Sequence, residues 1–174
     1  MQRLRAFIAV PFAGALVLSL VGCACPKVYR PASDSTPPTL EWKVTNNATS
    51  AVQNFSGNGS LTAKWGETYS VKLTATDGEG VHQVELADSV GWSCKSGNIT
   101  KSSGPGLASP QVNTKDVWPS GQVCSELTLF RDLDFHFECQ SGFQFASGSG
   151  GLTGTARNFF GGVTTGTLSI GVVP

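Results

Sequence analysis

The sequence predicts an all-β fold, a sandwich of short strands interrupted by a long irregular insertion. Three observations carry that prediction. Apolar and polar residues alternate with period two in successive runs, the pattern of strands with one face in a core and one in water. Clusters of Gly, Asp, Asn and Ser separate the runs and favour turns. After residue 23 no stretch sustains apolar residues at i, i+3, i+4 and i+7, so helices are not expected. Composition agrees: charged residues are 14% of the chain, below the roughly 25% of an average globular protein, and Gly contributes 21 of the 174 residues.

The first 22 residues stand apart. Arg3 and Arg5 form a short basic start, and an apolar run from Ala6 to Leu20 follows. A basic start, an apolar stretch of roughly 7–15 residues and small residues at its end describe a secretory signal. The run is shorter than the ~20 apolar residues of a membrane-spanning helix, and Pro11 interrupts it. Residues 1–22 are therefore read as a signal peptide.

Leu20-Val21-Gly22-Cys23 resembles the bacterial lipobox. The resemblance implies that cleavage falls before Cys23 and that the Cys23 thiol carries a diacylglyceryl group, with membrane lipid as its partner. Two or more acyl chains anchor a soluble domain stably where one does not. Ala24 follows the cysteine, not the Asp that commonly retains such proteins at an inner membrane. The expected location is the outer membrane, or the outer face of the cell membrane where there is only one. Residues 23–38, with Pro26, Pro31, Pro37 and Pro38, read as a lipidated, semi-flexible tether.

Residues 39–174 read as the folded domain, and without its leader the chain is long enough for one domain with a sizeable core. Leu40, Trp42 and Val44 alternate with polar residues. So do Leu61, Ala63 and Trp65, then Tyr69, Val71, Leu73 and Ala75. Asp77-Gly78-Glu79-Gly80 is a strong turn signal. Val81, Val84 and Leu86 open the next strand. Lys95–Gln122 is rich in Ser, Gly and Pro and reads as an irregular segment, unusually long for a compact domain. Strand patterns resume at Cys124–Leu129, at Phe135–Cys139, at Phe143–Phe145, near Leu152–Ala156 and at Val163–Val173. The expected total is eight to ten strands.

The segment Tyr69–Leu86, an alternating strand ending Ala-x-Asp, a Gly turn and Val-x-x-Val-x-Leu, resembles the B–C region of immunoglobulin-like, cadherin-like bacterial surface domains. Thr36–Leu40 resembles their lead into strand A. Thr155–Asn158 with Gly161 and Gly162, followed by Gly166–Ile170, resembles their F–G hairpin. The resemblance implies an immunoglobulin-like β-sandwich and leaves Lys95–Gln122 outside the pattern. It says little about function, which lives in sites grafted onto folds.

Four cysteines remain beside Cys23: Cys25, Cys94, Cys124 and Cys139. An even number in an exported domain suggests disulfides, with three connectivities open. Cys94–Cys124, closing a loop of about 30 residues worth about 3–4 kcal/mol, is the preferred pair. That leaves Cys139 for Cys25, or free. Cys94–Cys139 is the main competitor. No Cys-x-x-Cys is present, so zinc is not expected.

Chemistry-bearing residues are few. Asp132, Asp134 and His136 at alternate positions would share a strand face suited to a metal or to acid–base work, though a solvated polar face is the plainer reading. No Gly-x-Ser-x-Gly or His-Glu-x-x-His motif accompanies them. Asp77, Glu79 and Asp88 flank the turn where related folds can hold calcium, but six to eight oxygens are needed. Trp92 and Trp118 border the irregular segment, and an exposed aromatic face there would suit stacking on a sugar. Trp42 and Trp65 read as core. Phe159-Phe160 in a Gly-rich turn reads as packed beneath its loop. Without Arg3 and Arg5 the chain has ten Lys and Arg against twelve Asp and Glu, so nucleic acid is not an expected partner.

The expectation is a membrane-anchored, extracytoplasmic, non-enzymatic binding domain without cofactor or metal. Its ligand would be a protein or glycan held by the 95–122 segment. A structural or assembly role in an envelope complex is the alternative, and a metal-dependent enzyme the least favoured.

Overall fold

A computed structural model describes residues 25–107 and 110–174. Residues 1–22, expected to be a signal peptide, and Cys23 lie outside the described residues. Among those described there is no helix, and hence none long and apolar enough to cross a membrane. The described residues form twelve strands: β1 (Lys27–Tyr29), β2 (Thr39–Asn46), β3 (Val52–Ser56), β4 (Gly59–Lys64), β5 (Thr68–Thr76), β6 (Val81–Ser96), β7 (Ile99–Leu107), β8 (Gln111–Thr114), β9 (Gln122–Cys124), β10 (Glu126–Asp134), β11 (Gln144–Asn158) and β12 (Val163–Val173).

Two sheets make the sandwich. One has the order β10-β5-β2-β3, the other β4-β12-β11-β6-β7, with β8 also paired to β6. All pairings are antiparallel except β12 with β4. The period-two pattern sets the inner faces. β2 buries Leu40, Trp42 and Val44, and β5 buries Tyr69, Val71, Leu73 and Ala75. Opposite them lie Leu152 and Ala156 of β11 and Leu168, Ile170 and Val172 of β12. Trp42 is the largest fully buried side chain, and its Nε1 donates to the carbonyl of Gly57 at 2.7 Å. Gly154, on the inner face of β11, leaves room for it: a Cβ there would lie 2.7 Å from Leu73 Cδ2 and 3.1 Å from the Trp42 ring.

The segment expected to be irregular is largely strand. β7 pairs with the second half of β6, from Ser89↔Leu107 to Ser96↔Ile99. β8 then pairs with the first half, from Gln83↔Thr114 to Leu86↔Gln111. Together they form one interrupted edge strand, so the 95–122 segment extends a sheet instead of standing off it as a loop. The Gly97 turn, at φ 57°, joins β6 to β7. In contrast, Phe135–Cys139, which alternates like a strand, is not one. β10 ends at Asp134, and the chain from there crosses from one sheet to the other.

The segment expected to be a tether also differs from residue 25 onward. β1 pairs with β9, from Lys27↔Cys124 to Tyr29↔Gln122. Arg30 N donates to Gly121 O at 3.0 Å, and Ser125 N to Pro26 O at 2.8 Å. Asn158, nearly fully buried, donates from Nδ2 to Asp34 at 2.7 Å and to Thr36 O at 3.1 Å. Prolines made the segment extended, and an extended segment beside unpaired backbone groups satisfies them by pairing.

The disulfide preference is corrected as well. Cys25 bonds Cys124, and Cys94 bonds Cys139, at Cα–Cα distances of 5.5 and 5.9 Å. Cys94 lies on β6 and Cys124 at the end of β9, and the register places them at opposite ends of the sandwich. The expected Cys94–Cys124 bridge is therefore out of reach. Two disulfides point to folding in an oxidising, extracytoplasmic compartment.

Candidate ligand-binding site

β6 and β11, at 16 and 15 residues, are longer than any strand of the opposing sheet. Their surplus, Ser89–Ser96 paired with Gln144–Gly151, runs past the end of the smaller sheet. The crossing segment Phe135–Phe143 lies over that overhang, pinned by Cys94–Cys139. Sequence places four aromatic residues there, and they stack in series. Trp92 lies on Phe137 at 4.6 Å and 5° between planes. Phe137 contacts Phe145 at 5.8 Å, and Phe145 stacks on Trp65 at 5.7 Å and 8°. A register shift between Phe145 and Ser147 on β11 is a bulge, which re-aims the neighbouring side chain.

Trp65 is the exposed end of the series. It was expected in the core by its place after Leu61 and Ala63, yet it is 46% exposed, because β4 ends at Lys64 and Trp65 lies in the turn to β5. It is nonetheless fixed. Its amide donates to Val173 O at 2.7 Å, and its indole Nε1 donates to Phe137 O at 3.2 Å. Gly66 N bonds Phe135 O, and Phe135 N bonds Glu67 O, so the β4–β5 turn is laced to the crossing segment. Glu67 itself receives the Tyr69 hydroxyl at 2.8 Å and the Asn46 amide at 2.7 Å. These bonds, the Tyr69 one first, hold its carboxyl below the usual range.

Trp65, His136, Glu138, Phe143, Gln144, Phe145 and Pro174 border an open cavity of about 710 Å³. A smaller cavity of about 180 Å³ shares Glu138 and Phe143 with it and reaches Trp92, Lys101 and Gln140. Lys101 Nζ donates to Gln140 Oε1 and sits 4.8 Å above the Phe143 ring. The result is a groove with aromatic faces and carboxylate, amide and ammonium groups along one wall. Such a lining pairs an apolar platform with a few polar groups that set orientation.

The two tryptophans singled out by sequence are not brought together. Trp92 belongs to this end of the sandwich. Trp118 packs against the core at the other end, with Lys27 Nζ 4.5 Å over its ring. Phe159 and Phe160 are half-buried at that same end, beneath the Arg30 guanidinium at 5.5 and 4.8 Å.

Asp132 and Asp134 lie on the exposed outer face of β10, with Leu133 buried between them. Asp132 accepts from Ser70 Oγ at 2.7 Å. His136 is past the strand end and contacts Asp134 through Nδ1. That contact is the main reason the Asp134 carboxyl is held low. Asp88 is far along β6 from Asp77 and Glu79 and pairs with Arg131. Among the described residues no three His, Cys, Asp or Glu side chains are grouped to hold a metal ion.

No family model matches the chain, and no curated protein matches it. Among solved structures it is similar to Spo0M, a sporulation control protein from Bacillus subtilis, with a TM-score of 0.36 and 7% identity over 78% of this chain. The chain spans about half the length of that protein. A likeness at this level carries no argument about function.

Proposed function

We propose that the chain is a lipid-anchored envelope protein whose domain binds a glycan, without turnover, in the groove between Trp65 and Trp92. One observation carries the reading. The Trp65 indole is open to solvent yet held on one face by Phe145 and at its edge by the Phe137 carbonyl. A large aromatic face fixed in advance loses little conformational freedom when a pyranose ring stacks on it. Glu138, Gln140 and Gln144 supply the hydroxyl partners a sugar needs. Lipid attachment at Cys23 rests on the lipobox resemblance and is consistent with an oxidising compartment.

The fold is proposed as immunoglobulin-like. The order β10-β5-β2 against β4-β12-β11-β6, with β4 parallel to β12, favours it. The departure is in the disulfides: neither links the central strands of the two sheets, as antibody domains do.

Retention on insoluble cell-wall polysaccharide tests the function. The purified protein is expected to be retained and to elute with soluble oligosaccharide from the same wall. Elution by salt alone would mean simple charge attraction and would sink the reading. An assembly role is favoured by a separate feature, the 62% exposed Phe130 on the outer face of β10. Crosslinking from that position in intact cells should trap a protein partner if assembly is the role.

A further inference from the structure

The β1–β9 end of the sandwich carries a second surface. The chain is already held to the fold at Cys25, ahead of residue 39. Cys25 is bonded to the fully buried Cys124. Pro26 O accepts from both the amide and the hydroxyl of Ser125, and Lys27–Tyr29 are zipped to β9. Only Ala24 separates Cys25 from Cys23, and two residue steps span at most about 7 Å. An acyl chain on Cys23 therefore brings the rim around Cys25 into the headgroup layer.

The rim fits that setting. Tyr29 is 73% exposed. Lys27 and Arg30 are exposed, and their cationic heads lie over Trp118, Phe159 and Phe160. Amphipathic aromatics beside long basic side chains are the residues that sit at a membrane–water interface. Asp34, Asp77 and Glu79 lie at the same end, so charge attraction is not the driving term. The acidic side chains are turned to one another and to Asn158.

Resting on the lipoprotein reading above, we propose that this rim is a lipid-contact surface. Its occupant is the phospholipid headgroup layer, on which the domain sits directly with no free tether. The strand register then fixes the orientation. β12 runs 11 residues from this end to the groove, about 36 Å at strand rise, so the groove opens away from the membrane.

The test uses the lipidated protein in phosphatidylethanolamine–phosphatidylglycerol vesicles, treated with a membrane-impermeant amine acylator and read lysine by lysine by mass spectrometry. A second protein carries about twelve Gly and Ser residues inserted between Ala24 and Cys25, which adds roughly 20 Å of reach. Lys27 is expected to react several-fold more slowly in the native protein than in the lengthened one. Lys64, Lys95 and Lys101, exposed at the far end, should react alike in both. Equal Lys27 rates with Cys23 acylated overturn the contact surface alone. An intact mass showing no acyl chain on Cys23 overturns both this surface and the lipoprotein reading.

Discussion

Asp77 is buried under the β5–β6 turn. Its Oδ1 accepts the Glu79 amide at 2.8 Å, which closes the turn, while Oδ2 has no hydrogen-bond partner. Burial pushes this carboxyl above its ordinary value, and the nearby Asp34 charge adds to the rise. The sign follows from linkage. A carboxyl whose pKa is raised by folding favours the folded state when protonated, and that contribution is lost as pH rises through the folded pKa. At neutral pH the ionised form is a cost. Asp77→Asn keeps the turn acceptor and offers an N–H toward the neighbouring carboxylates. It is expected to stabilise the domain by on the order of 1 kcal/mol at pH 7. The gain should shrink as pH falls through the raised pKa toward the ordinary carboxyl range. Urea melts of both proteins across that range measure it.

Gly154 belongs to the same scale. A side chain there meets Leu73 and the Trp42 ring, neither of which has free volume to move into. Gly154→Val is expected to cost about 1–3 kcal/mol by overpacking, read from the midpoint of denaturation. In the sequence this glycine sits among several others in Gly148–Gly154 and nothing marks it as the one facing the core. Trp42 was legible because it alternates with Glu41 and Lys43. Trp65 was not, because the same alternation continued one residue past the end of its strand.

Among elements, legibility followed pairing environment. Strands β2, β5, β10 and β12 bury one face and expose the other, and their residues alternate accordingly. β7 reads Ile-Thr-Lys-Ser-Ser-Gly-Pro-Gly-Leu. It is an edge strand, held by backbone bonds to β6, and an edge tolerates Pro and Gly that a central strand excludes. With no apolar alternation to betray it, it looked like a loop. Phe135–Cys139 erred in the opposite direction: Phe135 packs on Tyr69 of β5 and Phe137 on Trp92 of β6, but the segment's backbone joins no sheet.

The disulfides act at this scale too. Cys94–Cys139 closes 45 residues and Cys25–Cys124 closes 99, worth about 4 and about 5 kcal/mol in chain-entropy terms, and less than their sum because the loops interleave. Cys94→Ser with Cys139→Ser frees the crossing segment that floors the groove. The pair of substitutions should lower stability by up to about 4 kcal/mol and weaken ligand binding beyond what the stability loss explains. Cys25→Ser with Cys124→Ser should lower stability while leaving binding at the far end intact. Calorimetric melts and ligand titration of the two double variants separate these effects.

At the scale of the whole molecule, the proposed lipid-contact rim and the proposed binding groove lie at opposite ends of the sandwich. One end holds Cys25, two residues from the proposed anchor at Cys23, and the other holds the groove. The sandwich class was readable in the alternation. The groove was not, because it is assembled from Trp65, Trp92 and residues 135–145 by a crossing that no local pattern encodes. Trp92 was the one aromatic of the groove that sequence position had singled out.

The central claim is that this groove holds a sugar against the Trp65 face. Isothermal titration of the native protein, Trp65→Ala and Trp65→Phe with oligosaccharide from the cell wall tests it most directly. Trp65→Ala is expected to weaken binding by about 1–2 kcal/mol, roughly tenfold, Trp65→Phe to retain most of the affinity, and both to fold normally. Equal affinity for all three proteins would contradict it.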